Sequence, residues 1–139
     1  AADSIDKEIT LPGLAQSVVL TRTQGRASAM PDDESLENFA RTGSTLAIHL
    51  SIHNLGYIVE KLIPFYGANC PIVVIFRASW ADQQIIKGEL YTIENRMPKE
   101  IERTAIIFVG RCLDNDQFNN SRLYATDYSR RFRPGTTQE

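Results

Sequence analysis

The chain has 139 residues, 42% of them apolar and 23% charged, which is enough for one domain whose core needs neither disulfides nor metal. Its net charge of -2, from 15 basic and 17 acidic residues, excludes a nucleic-acid or anionic-membrane binder acting through bulk charge. No apolar run approaches the roughly 20 residues of a membrane span, and no signal-peptide pattern opens the chain.

Ala1-Ala2-Asp3-Ser4 lacks a Met, the start expected of a trimmed or excised chain. Leu11-Pro12-Gly13 signals a turn. Gln16 to Thr23 alternates β-branched with polar residues and predicts a strand. Gln24 to Pro31 is a Gly/Ser/Pro loop carrying Arg26, readable as a solvated connection or as a flap over a cleft. Asp32-Asp33-Glu34-Ser35 opens a short helix, its acidic residues favoured by the helix dipole, and Gly43 stops it.

Thr45 to Leu50 is an apolar run expected to be a strand buried on both faces. Beyond it Ser51 and Asn54 are caps for a helix whose Leu55, Ile58, Val59, Leu62 and Ile63 recur at helical spacing. A buried strand running into a helix N-terminus is where open α/β sheets bind ligands, because the turn presents free backbone N–H groups. Pro71 to Phe76 is a second buried strand, followed at once by Arg77-Ala78-Ser79-Trp80. Ile85 to Glu89 is a third, short strand, with a helix over Leu90 to Met97. Thr104 to Val109 is a last buried strand, closed by Gly110. Ser121 to Tyr128 is amphipathic, and residues 129–139, basic and containing Pro and Gly, are expected to be a flexible tail. Strands alternating with helices, and apolar runs in place of strict alternation, predict a single α/β domain over 1–139, with a mixed, largely parallel sheet flanked by helices.

Cys70 and Cys112 form no CxxC pair and read as buried hydrophobes in a reducing compartment, hence a cytoplasmic protein. His49 and His53 would share a helix face and could hold zinc only if the backbone were helical there, and the strand-to-turn transition falls between them. No metal site is expected. There is no GxGxxG, P-loop or GxSxG motif, Ser51 lacks a nucleophile elbow's glycines, and Asp114 and Asp116 read as solvated. What remains is a set of strand ends, each carrying a short polar motif: Thr21-Arg22-Thr23, Leu50-Ser51-Ile52-His53 and Arg77-Ala78-Ser79. In a parallel sheet these gather along one edge and build a cleft, where Arg22, Arg26 and Arg77 would suit a carboxylate-bearing ligand.

Five blocks, LPxxxQSVVLTRTxGR, MPxxESL, TLAIHLSIHNL, GANCPIVVIFRASWADQQIIKGEL and RTAIIFVG, follow one another as in the precorrin-4 C-11 methyltransferase family. That family belongs to the tetrapyrrole (class III) S-adenosylmethionine-dependent methylases of cobalamin biosynthesis. The resemblance runs from about Thr10 to Tyr128 and departs at Pro12-Gly13. It resembles only the second half of the family's two-domain enzyme, since no Gly-rich GxGPGD-type loop is present. It therefore implies the C-terminal domain of such a methylase, inactive alone, with the active site in a trough against the missing N-terminal domain.

The resemblance implies a cofactor, S-adenosylmethionine (product S-adenosylhomocysteine), held by Leu50, Ser51, Ala78, Thr104, Ala105 and Ile106. It implies a tetrapyrrole substrate, precorrin-4 or its cobalt form, facing Thr21, Arg22, Arg26, His53 and Arg77. Methyl transfer to a ring carbon needs alignment and exclusion of water, with no catalytic nucleophile and no metal. A homodimer is expected, and the alternative is a self-associating assembly module without catalysis.

Overall fold

A computed structural model describes residues 9–24 and 29–114, so Arg26, the segment Ser121 to Tyr128 and the expected tail over 129–139 lie outside the described residues. The elements are β1 (Val18–Thr21), α1 (Leu36–Ala40), β2 (Thr45–His49), α2 (Leu55–Tyr66), β3 (Pro71–Phe76), β4 (Gln84–Glu89), α3 (Ile93–Arg96) and β5 (Ala105–Val109). Single 3-10 turns occupy Asp32–Glu34, Ile52–Asn54 and Arg111–Asp114. The helix expected over Leu90 to Met97 shrinks to the one turn of α3.

The strands form one five-stranded sheet in the order β1-β2-β5-β3-β4. It is mixed, as expected, but it is not largely parallel. Only β1 and β2 pair in parallel, while β2 with β5, β5 with β3 and β3 with β4 are antiparallel. An apolar run buried on both faces pairs equally well in either direction, so its composition does not reveal its sense. Yet β1, β2 and β3 all point the same way, because β5 lies reversed between β2 and β3 and restores the direction. Their carboxyl ends therefore meet at one edge, beside the start of β5, as the register His49 with Ile106 and Phe76 with Ala105 requires.

Alternation along the strands divides the core between two faces. Leu46, Ile48, Ile72, Val74, Ile107 and Val109 pack with Leu36 and Ala40 of α1, Ile58 and Leu62 of α2, and Ile93 of α3. Ala47, Val73, Ile75 and Phe108 form the opposite cluster with Leu113. α1 begins where the Ser35 hydroxyl accepts from the Asn38 N–H at 3.1 Å, satisfying one orphan donor of its first turn. In α2, Ile58 and Leu62 are fully buried, worth roughly 1.5–3 kcal/mol of transfer free energy each. That packing anchors the helix that follows the β2 turn.

Candidate binding cleft at the strand ends

β2 ends at His49, and the chain then turns through Leu50, whose φ of 56° is left-handed and whose side chain is 73% exposed. Ser51 is fully buried behind that turn. Its hydroxyl donates to the His49 carbonyl at 2.9 Å and accepts from both the backbone N–H and the hydroxyl of Thr23, each at 2.8 Å. The Asn54 amide donates in turn to the Thr23 hydroxyl at 2.9 Å. Every hydrogen-bonding position of the Ser51 hydroxyl is thereby used. This network fastens the end of β1 to the β2 turn, and it takes Asn54 away from the helix-capping role expected of it, since its side chain caps nothing at the start of α2.

On the far side of Leu50 a cleft of about 410 Å³ opens, bounded by His49, Leu50, Ile52 and His53 on one wall and by residues 102–106 on the other. Of the residues assigned from the sequence, it brings together Leu50, His53, Thr104, Ala105 and Ile106. Glu102 and Arg103 line it too, and neither has an ion-pair partner among the described residues. Both precede the apolar run of β5, so no periodicity marks them in the sequence. Thr23 belongs to the strand-end motif Thr21-Arg22-Thr23, but nothing in the sequence announces its partner 28 positions away.

The other assigned residues lie elsewhere. The Ser51 side chain stands behind the cleft wall. Ala78 packs against the cluster of Val73 and Phe108, as the cleft-lining Ile106 also does, but does not itself line the cleft. Thr21 is buried, its hydroxyl turned to the Arg22 carbonyl. Arg22 donates to the Thr23 carbonyl at 3.2 Å and borders a separate hollow of about 170 Å³ with Met30, Glu34 and Tyr57. Arg77 is bound to Asp82 at 2.5 Å and lies 5.0 Å and 5.1 Å from the ring centroids of Phe76 and Trp80. Its guanidinium is occupied by its own loop, so it is not the free cation expected at the cleft. His49 ends a strand and His53 sits in a 3-10 turn, so the two share no helical face.

Among the described residues, four non-glycine residues have left-handed φ: Leu50 at 56°, Arg77 at 50°, Ser79 at 71° and Thr104 at 63°. All four belong to this one edge, after β2, after β3 and before β5. Two are tied directly, since the Arg77 N–H donates to the Thr104 carbonyl at 2.8 Å. Each such residue costs on the order of 1–2 kcal/mol, and strain of this kind collects where a site is preorganised. The cleft's volume is within the roughly 300–1,000 Å³ usual for small-molecule sites, and its lining combines apolar Leu50, Ile52, Ala105 and Ile106 with the polar His49, His53, Glu102, Arg103 and Thr104.

The sequence profile of the Tetrapyrrole (Corrin/Porphyrin) Methylases matches residues 1–94. A precorrin-4 C(11)-methyltransferase from Sinorhizobium sp is 52% identical over 96% of this chain and 53% of its own length. One from Pseudomonas aeruginosa is 45% identical over 92% of this chain and 51% of its own. The chain thus spans about half the length of the curated relatives it matches. The X-ray structure of a cobalamin biosynthetic enzyme, cobalt precorrin-4 methyltransferase, superposes with a TM-score of 0.76 at 30% identity, covering 82% of this chain and 48% of that one. A uroporphyrin-III C-methyl transferase from Thermus thermophilus, complexed with S-adenosyl homocysteine, shares the fold at a TM-score of 0.63 and 21% identity, over 79% of this chain and 50% of its own.

Proposed function

Because this chain belongs to the tetrapyrrole (corrin/porphyrin) methylase family, we propose that it is the C-terminal domain of a precorrin-4 C-11 methyltransferase. The whole enzyme would move a methyl group from S-adenosylmethionine to a ring carbon of precorrin-4 or its cobalt form. The observation that carries this reading is the coincidence of the cleft with the left-handed residues Leu50 and Thr104. Strain is retained there on two walls that face one small, largely apolar space.

In this reading Leu50, Ala105 and Ile106 hold the adenosine part of the cofactor through apolar contact, and the backbone about Thr104 supplies polar contacts. When bound, S-adenosylmethionine supplies an electrophilic methyl on a sulfonium, so the donor arrives already activated. The chain's own work is to fix geometry and keep water out. The Thr23–Ser51–Asn54 network holds the Leu50 turn rigid, which is how alignment is converted into rate. Ser51 and Ala78 act by shaping the wall from behind, and Thr21 by position alone. His53, at the cleft mouth, and Arg22 bind carboxylates of the substrate, and Arg26, outside the described residues, is assigned to the same role from the sequence.

The N-terminal domain that completes the trough is the first partner, and a second copy, giving a homodimer, is the next. The buried Cys70 and Cys112, which form no disulfide with each other, fit a reducing cytoplasm. A second reading, self-association without catalysis, is favoured by Leu20, which is 68% exposed on the edge strand β1.

The test is calorimetric titration with S-adenosylhomocysteine, of the full-length protein and of this chain alone. The full-length protein is expected to bind and the chain alone to bind at least tenfold more weakly. Equal affinity would place the whole cofactor site in this domain. No binding by either would end the methylase reading.

A further inference from the structure

Resting on that reading, the geometry points to Trp80 as the residue on which the tetrapyrrole substrate stacks. Trp80, the chain's one tryptophan, is 57% exposed at the tip of the loop after β3. A large aromatic side chain left in water calls for a reason, and this one is held in place. The Arg77 guanidinium lies 5.1 Å from the indole centroid and 5.0 Å from that of Phe76, within cation–π reach of both rings. Asp82 binds the same guanidinium at 2.5 Å.

The backbone is equally fixed. The Trp80 N–H donates to the Arg77 carbonyl at 3.0 Å, the Gln83 N–H to the Trp80 carbonyl at 3.1 Å, and the Ser79 N–H to the Gln83 side-chain oxygen at 2.6 Å. Two residues of this short loop, Arg77 and Ser79, are left-handed. The structure thus commits strain, an ion pair and a side-chain hydrogen bond to hold one indole in position.

What the loop offers is flat and apolar. Asp82 offsets the charge of Arg77, so no free cation projects, in contrast to the carboxylate-binding role that the sequence suggested for Arg77. The adjoining Ala81 and Asp82 are exposed and small or charged, which gives no contiguous apolar patch for a protein interface. One aromatic face in polar surroundings suits one planar ring system. The purine of the cofactor is not that ligand, because Trp80 does not line the cleft; its loop only adjoins the wall through the Arg77–Thr104 hydrogen bond. The conjugated pyrrole rings of the substrate, approaching the same edge from outside, are.

The experiment measures equilibrium binding of uroporphyrin III, a stable planar octacarboxylate, and of S-adenosylhomocysteine. It uses the full-length protein and its Trp80→Ala and Trp80→Phe variants, each checked by thermal unfolding. Trp80→Ala is expected to weaken porphyrin binding about tenfold, Trp80→Phe by less than threefold, and neither to alter S-adenosylhomocysteine binding. Porphyrin affinity unchanged in Trp80→Ala, equal loss in the two variants, or parallel loss for both ligands would overturn the stacking role. A wild-type protein that binds S-adenosylhomocysteine but no porphyrin overturns it too, while one that binds neither overturns the methylase reading itself.

Discussion

Leu50 concentrates the conflict between stability and use in one residue. Its left-handed backbone is unfavourable for a leucine, and its side chain, 73% exposed, returns little burial to offset the cost. Asparagine tolerates the same backbone more easily. Leu50→Asn is therefore expected to leave stability unchanged or raise it by up to about 1 kcal/mol in urea unfolding, while weakening S-adenosylhomocysteine binding several-fold. A clear loss of stability would mean that the Leu50 side chain supports the fold. Ser51, its neighbour, behaves in the opposite way. Ser51→Ala leaves the buried Thr23 N–H without its acceptor and is expected to cost about 1–3 kcal/mol by the same assay.

At the scale of elements, α2 is joined to β2 by more than packing. The Tyr66 hydroxyl, near the helix end, donates to the Ser44 carbonyl at 2.5 Å, just before the strand. Burial first, and then the nearby Cys70, pushes the phenol well above its ordinary value of about 10. Above pH 10 the unfolded chain loses this proton while the folded chain keeps it. The folded state then binds more protons, so stability falls as pH rises from about 10. Tyr66→Phe is expected to flatten that alkaline decline in a pH series of denaturation curves, at a cost near 1 kcal/mol at neutral pH. An unchanged decline would assign it to other groups.

The elements were legible to very different degrees. Pro71 to Phe76 reads as a strand because it is β-branched, apolar and bounded by turn residues, and it is β3 to the residue. The direction of β5 was not legible, because nothing in the composition of a doubly buried strand marks its sense. Leu50 and residues 104–106 were assigned to the cofactor by resemblance, and the fold does bring them to one cleft. What the sequence does not show is the partner that Arg77 has in the fold. An arginine after a buried strand looks like a ligand-facing cation, but Asp82, five positions on, closes the loop and takes its charge.

For the whole molecule, the notable surface is the outer flank of β1. Val18 and Leu20 point to the sheet face opposite the helices and are 37% and 68% exposed on a strand with one edge unpaired among the described residues. Such an edge invites another chain. Leu20→Lys is expected to weaken self-association of this chain at least tenfold in sedimentation equilibrium, with little change in folding. Unaltered association would place the contact elsewhere.

The position of β5 matters before the protein ever meets a ligand. The last of the five strands in sequence lies at the centre of the sheet, between β2 and β3. A ribosome that has not yet delivered Ala105 to Val109 holds a β1–β2 piece and a β3–β4 piece with no strand to join them, each showing an unpaired, apolar border. Cooperative folding of the sheet must wait for Ala105 to Val109, and a product terminated before them carries two sticky borders that quality-control proteases and chaperones can recognise.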